Sequence, residues 1–153
     1  MANGIKIKVV GVGGSGGNAL SRMKRAKIKG VQLLAINTDL QDLRKTKADL
    51  RLQIGKKLTQ GLGTGMDPEV GRQAALESKN EISQTLEGSD MVFITYGAGG
   101  GTGSGAGPVI AGIAKKLGAL TVAIVTTPFS FEGAARKKVA DLSLKKLRIL
   151  LIR

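Results

Sequence analysis

The sequence predicts an α/β fold: a doubly wound, mainly parallel sheet of five to six strands with helices on both faces. Two observations carry that prediction. Short β-branched runs alternate with longer stretches of helical character, as they do when strands are joined by crossover helices. Met91 to Tyr96 is a continuous apolar run, the pattern of a central strand covered on both sides.

Taken in order, Ile5 to Val10 reads as a first strand and runs directly into Gly11-Val12-Gly13-Gly14-Ser15-Gly16-Gly17. A helix from about Asn18 to Ala26 follows, then a strand over Val31 to Ile36. Thr38 and Asp39 are cap residues for a short helix from Leu40 to Lys45. Leu50 to Ile54 reads as a third strand near an edge. The segment Gly61 to Met66 is too glycine-rich for either regular element and reads as a mobile loop. Asp67 as N-cap, Pro68 in the first turn and Glu69 at the positive dipole end mark the start of a helix running to Leu86 and stopping at Gly88. After the strand Met91 to Tyr96 comes a second glycine loop, Gly97 to Gly105, then a helix from Pro108 to Leu117 and a fifth strand from Leu120 to Val125. A loop from Thr126 to Gly133 leads to a basic helix ending near Lys146, and Leu147 to Ile152 reads as a last strand.

Composition removes several kinds of chemistry. The chain of 153 residues has the length of one domain and contains no Cys, His or Trp. Imidazole triads, thiolate sites and most zinc chemistry are therefore excluded. No apolar run approaches the roughly 18 residues of a membrane span, and Lys6 and Lys8 interrupt any signal-like core, so a soluble cytoplasmic protein is expected. The net charge of +13 suggests acidic partners, but the basic residues are dispersed and aromatic residues are scarce. No dedicated nucleic-acid role is expected.

The chemistry concentrates in the two glycine loops, each placed between a strand and a helix. Glycine lets the backbone approach a phosphate, and a helix N-terminus offers free amides at the positive end of its dipole. Gly11-x-Gly13-x-x-Gly16, with Asp39 about twenty residues on, is formally a dinucleotide fingerprint. A tight structural turn explains that pattern about as well. A second loop of equal richness favours phosphate binding, and neither loop has the Gly-Lys-Ser/Thr ending of a P-loop. Thr102 and Ser104 add hydroxyls suited to phosphate oxygens or a hydrated Mg²⁺, although Thr102 is equally suited to cap a helix.

Gly99-Gly100-Gly101-Thr102-Gly103-Ser104-Gly105 resembles the signature of the tubulin and FtsZ superfamily. Gly11 to Asn18, Ile36-Asn37-Thr38-Asp39, Gly61-Leu62-Gly63, Asp67 to Arg72 and Phe129-x-Phe131-Glu132-Gly133 are similar, in the same order, to the FtsZ branch of cell-division GTPases. The resemblance covers about residues 5 to 136. It implies a nucleotide-binding domain of the doubly wound type that takes GTP or GDP, with Mg²⁺ held by the nucleotide phosphates and water.

By motif, Gly14, Ser15, Gly16 and Gly17 would meet phosphates through their amides, with Gly13 beside them, and Asn18 would lie next to the base. Gly99, Gly100, Gly101, Thr102 and Gly103 would wrap the phosphates. Asp39 and the Gly61 to Gly65 segment, Gly63 included, would approach the terminal phosphate. Thr126 would complete the cradle, Glu132 would hold the ribose and Arg136 would pair with nucleotide charge. Read without the resemblance, Asn18 and Asp39 are helix-start residues, and Glu132 and Arg136 form an ordinary i,i+4 ion pair.

Ser15, Ala98, Thr127, Ala134 and Ala135 depart from the family pattern, as does the basic charge. The resemblance further implies that residues 1–153 form the N-terminal nucleotide-binding domain alone, without the central helix and C-terminal domain. No segment resembles the acidic loop that completes hydrolysis, so nucleotide binding with little or no turnover is expected. FtsZ-like subunits are the implied partners, through the nucleotide face. A GTPase active on self-association or with a partner's loop, and a Rossmann-type dinucleotide protein, are the alternatives.

Overall fold

The computed structural model describes residues 4–128 and 133–151, without the side chains of 149–151. Five strands form one sheet in the order β3-β2-β1-β4-β5, with every pairing parallel. They are β1 (Ile7–Val12), β2 (Gln32–Asn37), β3 (Leu50–Gln53), β4 (Met91–Gly97) and β5 (Leu120–Thr126). The order reverses between β1 and β4, and in such sheets that switch point opens a crevice at the carboxyl ends of the strands.

The central strands alternate between two apolar layers. Val9, Leu33 and Ala35 pack under α1 (Gly13–Arg25) and α2 (Leu40–Lys45), together with Leu20 and Leu43. Val10, Val12, Ile36, Ile94 and Tyr96 face the opposite side. There they are covered by α4 (Pro68–Glu77), α5 (Lys79–Leu86), α6 (Gly101–Lys116) and α7 (Ala134–Leu151). β5 is clothed on that second side only: Leu120 and Ile124, which point the other way, are 62% and 57% exposed.

The structure corrects the sequence reading in several places. Both glycine segments are helical where loops were expected, α1 beginning at Gly13 and α6 at Gly101. A short turn of helix, α3 (Lys56–Thr59), lies where none was foreseen. The expected single helix from Pro68 to Leu86 is broken at Ser78, whose buried hydroxyl accepts from the Gly55 amide at 3.0 Å. Leu147 to Leu151 continue α7 instead of forming a strand, and the sheet has five strands among the described residues. Ala140, Ser143 and Leu147 are buried at helical spacing, a periodicity that outweighs the apolar run at the end of the chain. Ile152, the end of that expected strand, lies outside the described residues.

A proline explains one internal feature. Pro108 lies within α6 and has no N–H, so the Ser104 carbonyl one turn earlier loses its helical donor. The buried Ser143 hydroxyl of α7 donates to that carbonyl at 3.1 Å. Since Ser143 has a single proton, its 2.7 Å contact with Tyr96 is one in which the phenol donates. Burial, which disfavours the phenolate, pushes the Tyr96 phenol up to about 12. One chain of hydrogen bonds thus ties β4, α7 and α6 together.

Candidate functional site

A cleft of about 650 Å³ opens over the carboxyl ends of β1, β4 and β5. That volume falls within the range usual for small-molecule sites. The turn from β1 into α1 forms one wall, through Val12, Gly13, Gly14 and Ser15. The turn from β4 into α6 forms the floor, through Gly97, Ala98, Gly100, Gly101, Thr102 and Gly103. The loop before α4 contributes Gly63 to Met66, and the end of β5 contributes Thr126 to Pro128; Arg136 reaches in from α7.

Two helix N-termini converge here. Neither α1 nor α6 has a side-chain cap or an acidic residue in its first turn. By contrast α2 and α4 are capped by Asp39 and Asp67, which accept from the Asp42 and Glu69 amides at 3.1 and 2.9 Å. The opening amides of a helix lack intrahelical partners. Where no side chain supplies one, an anion can.

Glycine is required for the approach. Gly13 has a φ of +74°, which L side chains rarely adopt, and a Cβ on it would lie 3.2 Å from the Gly103 amide. Gly16 serves packing: a Cβ there would lie 2.6 Å from the Thr95 carbonyl, so it lets α1 settle on the sheet. The fingerprint spacing therefore divides into one residue that shapes the cleft and one that seats the helix behind it.

Of the residues singled out in the sequence, Gly13, Gly14, Ser15, Gly63, Gly100, Gly101, Thr102, Gly103, Thr126 and Arg136 line the cleft. Gly16 and Gly17 are buried behind it, Gly17 against Thr46. Asn18 is exposed on α1, outside the lining. Asp39 caps α2, and a Cβ at Gly63 would lie 3.7 Å from its second oxygen, which places it behind the loop. The Gly61 carbonyl accepts from the Leu40 amide at 3.0 Å, fastening that loop to α2. Gly99 donates to Ser104 Oγ at 2.7 Å and is buried. Glu132 lies outside the described residues.

Ser104 was expected to offer its hydroxyl to a ligand. It is instead turned inward, buried, and occupied by the Gly99 amide. Thr102 does reach the cleft, and its hydroxyl is 3.3 Å from that of Thr38. Met66 escaped the sequence reading: its sulfur lies 3.9 Å from Arg136 Nη2, across the mouth of the cleft. Only the loop's glycine content signalled that region. Among the described residues, no Asp or Glu lines the cleft, and none forms a cluster of three or more acidic side chains able to hold a metal.

Residues 6–149 match the model of the Tubulin/FtsZ family, GTPase domain. The match runs past Arg136, where the sequence resemblance had been expected to fade. The chain is 56% identical over 142 residues to cell division protein FtsZ 1 of Pyrococcus furiosus, a span covering 93% of this chain and 38% of that protein. Among solved structures, an empty FtsZ dimer of M. jannaschii superposes with a TM-score of 0.94 at 53% identity, over 97% of this chain and 43% of the other. CetZ2 of Haloferax volcanii, solved as a GTPγS-bound protofilament, superposes with a TM-score of 0.87 at 27% identity, over 96% and 47% of the two chains. The chain thus spans less than half the length of each of these relatives.

Proposed function

Because the chain belongs to the tubulin/FtsZ family of GTPase domains, we propose that its cleft binds GTP or GDP, as part of an FtsZ-like cell-division protein of the cytoplasm. The observation that carries this reading is the pair of uncapped helix N-termini facing one glycine-lined cleft. The phosphates would take the amides of Gly13 to Ser15 and Gly101 to Gly103, with Thr102 and Arg136 adding a hydroxyl and a positive charge. Mg²⁺ would be held mainly by the phosphates and water, since the described lining offers it no carboxylate.

The same lining supports weak catalysis. Phosphoryl transfer needs charge stabilisation and an oriented nucleophile. The amides and Arg136 supply the first. Without a carboxylate in the described lining, nothing there holds an attacking water, so the chain alone binds nucleotide with little or no hydrolysis. The nucleotide face is then where another FtsZ-like subunit would meet this one.

Titration of nucleotide-free chain with GTP, GDP, ATP and NADH in the presence of Mg²⁺ tests the reading. Guanine nucleotides are expected to bind, and Thr102→Ala or Arg136→Ala to weaken them by about tenfold, the loss of one charge-assisted contact of roughly 1.4 kcal/mol. Folded chain that binds none of them, or NADH alone, would overturn it. So would GTP turnover by purified chain at the rate of an intact FtsZ, as regards hydrolysis.

A further inference from the structure

A second concavity lies at the far end of α6, away from the cleft. It is a groove of about 410 Å³ where α4, α5, α6 and α7 meet. Its surface is apolar: Leu76 forms one lip and is 44% exposed, and Pro108, Val109 and Ile113 form the floor. Lys79, Lys116 and Lys146 stand around it, each from a different helix and each exposed.

Among the described residues, no Asp or Glu lines the groove. The carboxylates of the adjoining helix are engaged elsewhere. Glu69 pairs with Arg72 at 2.5 Å, and Glu77 accepts from the Lys57 and Leu58 amides at 3.1 and 3.0 Å. Among the described residues, none of the three lysines forms an ion pair. Lys146 also acts at a distance on Glu69, but the rim as a whole is positive, and an apolar trough with such a rim complements a segment with apolar anchors between acidic residues. An amphipathic helix meets that demand, since anchors at i, i+3 and i+7 share one face and leave the flanks free for Glu or Asp.

Other occupants fit less well. Among the described residues, no aromatic side chain lines the groove for a base to stack on, as single-stranded nucleic acid requires. A lipid surface is met by a projecting apolar face, whereas this one is recessed. We propose that the groove between α4, α6 and α7 is a docking site for an acidic amphipathic helix of a partner protein, anchored on Leu76 and Ile113 and held by Lys79, Lys116 and Lys146.

The probe is a fluorescein-labelled synthetic helical peptide with Leu at i, i+3 and i+7 and Glu on both flanks, titrated with the full chain and read by anisotropy. Saturable binding is expected. It should weaken at least about tenfold in Lys79→Glu/Lys116→Glu and several-fold in Lys146→Glu, with unchanged far-UV circular dichroism. A peptide carrying Lys in place of Glu should bind the double variant and not the parent chain. No saturable binding up to about 1 mM peptide, or equal affinity in parent and variants, overturns the proposal. A dT oligonucleotide or phosphatidylserine vesicles binding in the peptide's stead, and released by the same substitutions, would also overturn it by assigning the groove to another class of partner.

Discussion

Replacing Ser143 by Ala should cost far more than the loss of one exposed hydroxyl. In the folded chain this side chain is buried between the Ser104 carbonyl, whose helical N–H partner is missing at Pro108, and the Tyr96 phenol, 1% exposed. Removing the hydroxyl strands both. Each buried polar group left unsatisfied costs about 1–3 kcal/mol, and the better helix propensity of Ala returns less than about 0.7 kcal/mol. The net loss should be about 2–3 kcal/mol, or roughly 5–10 °C in Tm for a chain of this length.

Urea unfolding at pH 7, followed by circular dichroism, measures the cost directly. A double-mutant cycle with Tyr96→Phe separates the two stranded groups. Tyr96→Phe alone should cost about 1 kcal/mol, because Ser143 still donates to Ser104. The double variant should be more stable than Ser143→Ala, since no orphaned phenol remains. The phenol also sets a pH signature. Its folded value of about 12 lies above its ordinary value of 10.0, so the folded state holds the proton more tightly. Stability from this group is complete below pH 10 and lost progressively as pH rises towards 12, by up to about 2–3 kcal/mol. Tyr96→Phe should flatten that alkaline slope. An unchanged urea midpoint for Ser143→Ala, with an alkaline slope equal in Tyr96→Phe and the parent, would refute the reasoning.

Two further substitutions test the packing around the sheet. Gly105→Ala ought to stabilise an isolated helix by about 1 kcal/mol, yet its Cβ would overlap the Pro68 carbonyl and lie 2.6 Å from the Arg72 amide. Backbone atoms cannot turn aside as a side chain can, so overpacking should prevail with a net loss of about 2 kcal/mol in thermal or urea unfolding. A raised Tm would show that α4 and α6 are not in the contact described. Ile124→Lys, on the bare side of β5, should change stability by less than about 0.5 kcal/mol while reducing concentration-dependent association in sedimentation velocity. Greater association would show that this side of the strand is not exposed.

The strands were legible because apolar β-branched runs have few other uses: Met91 to Tyr96 and Leu120 to Val125 were placed within one residue of their observed ends. The glycine-rich first turns of α1 and α6 were not legible, although both helices were expected further along, from Asn18 and from Pro108. Gly101, Gly103, Gly105 and Gly107 have poor helical propensity, and their helix is stabilised by what packs on it. A Cβ at Gly101 would lie 2.9 Å from the Asp67 amide, and one at Gly105 would overlap the Pro68 carbonyl. Such contacts join residues distant in sequence, and no local window contains them. The same limit applies to the cleft. Gly13, Gly14 and Thr102 could be named from the motif, whereas the inward turn of Ser104 depends on the Gly99 amide, and the meeting of Met66 with Arg136 spans 70 positions. The break at Ser78 was hidden likewise, because its partner Gly55 lies on another element.

The glycine-rich start of α6 has one further consequence. A helix that cannot persist alone exists only while Tyr96, α4 and α7 hold it, so the first turn that faces the cleft is among the least autonomous parts of the chain. The proposed nucleotide would then be coupled to the packing that holds this helix. A ligand that gathered those amides would add its binding free energy to the stability of the whole sheet, and a lesion in the layer beneath them would weaken its binding to the extent that it let the first turn of α6 open.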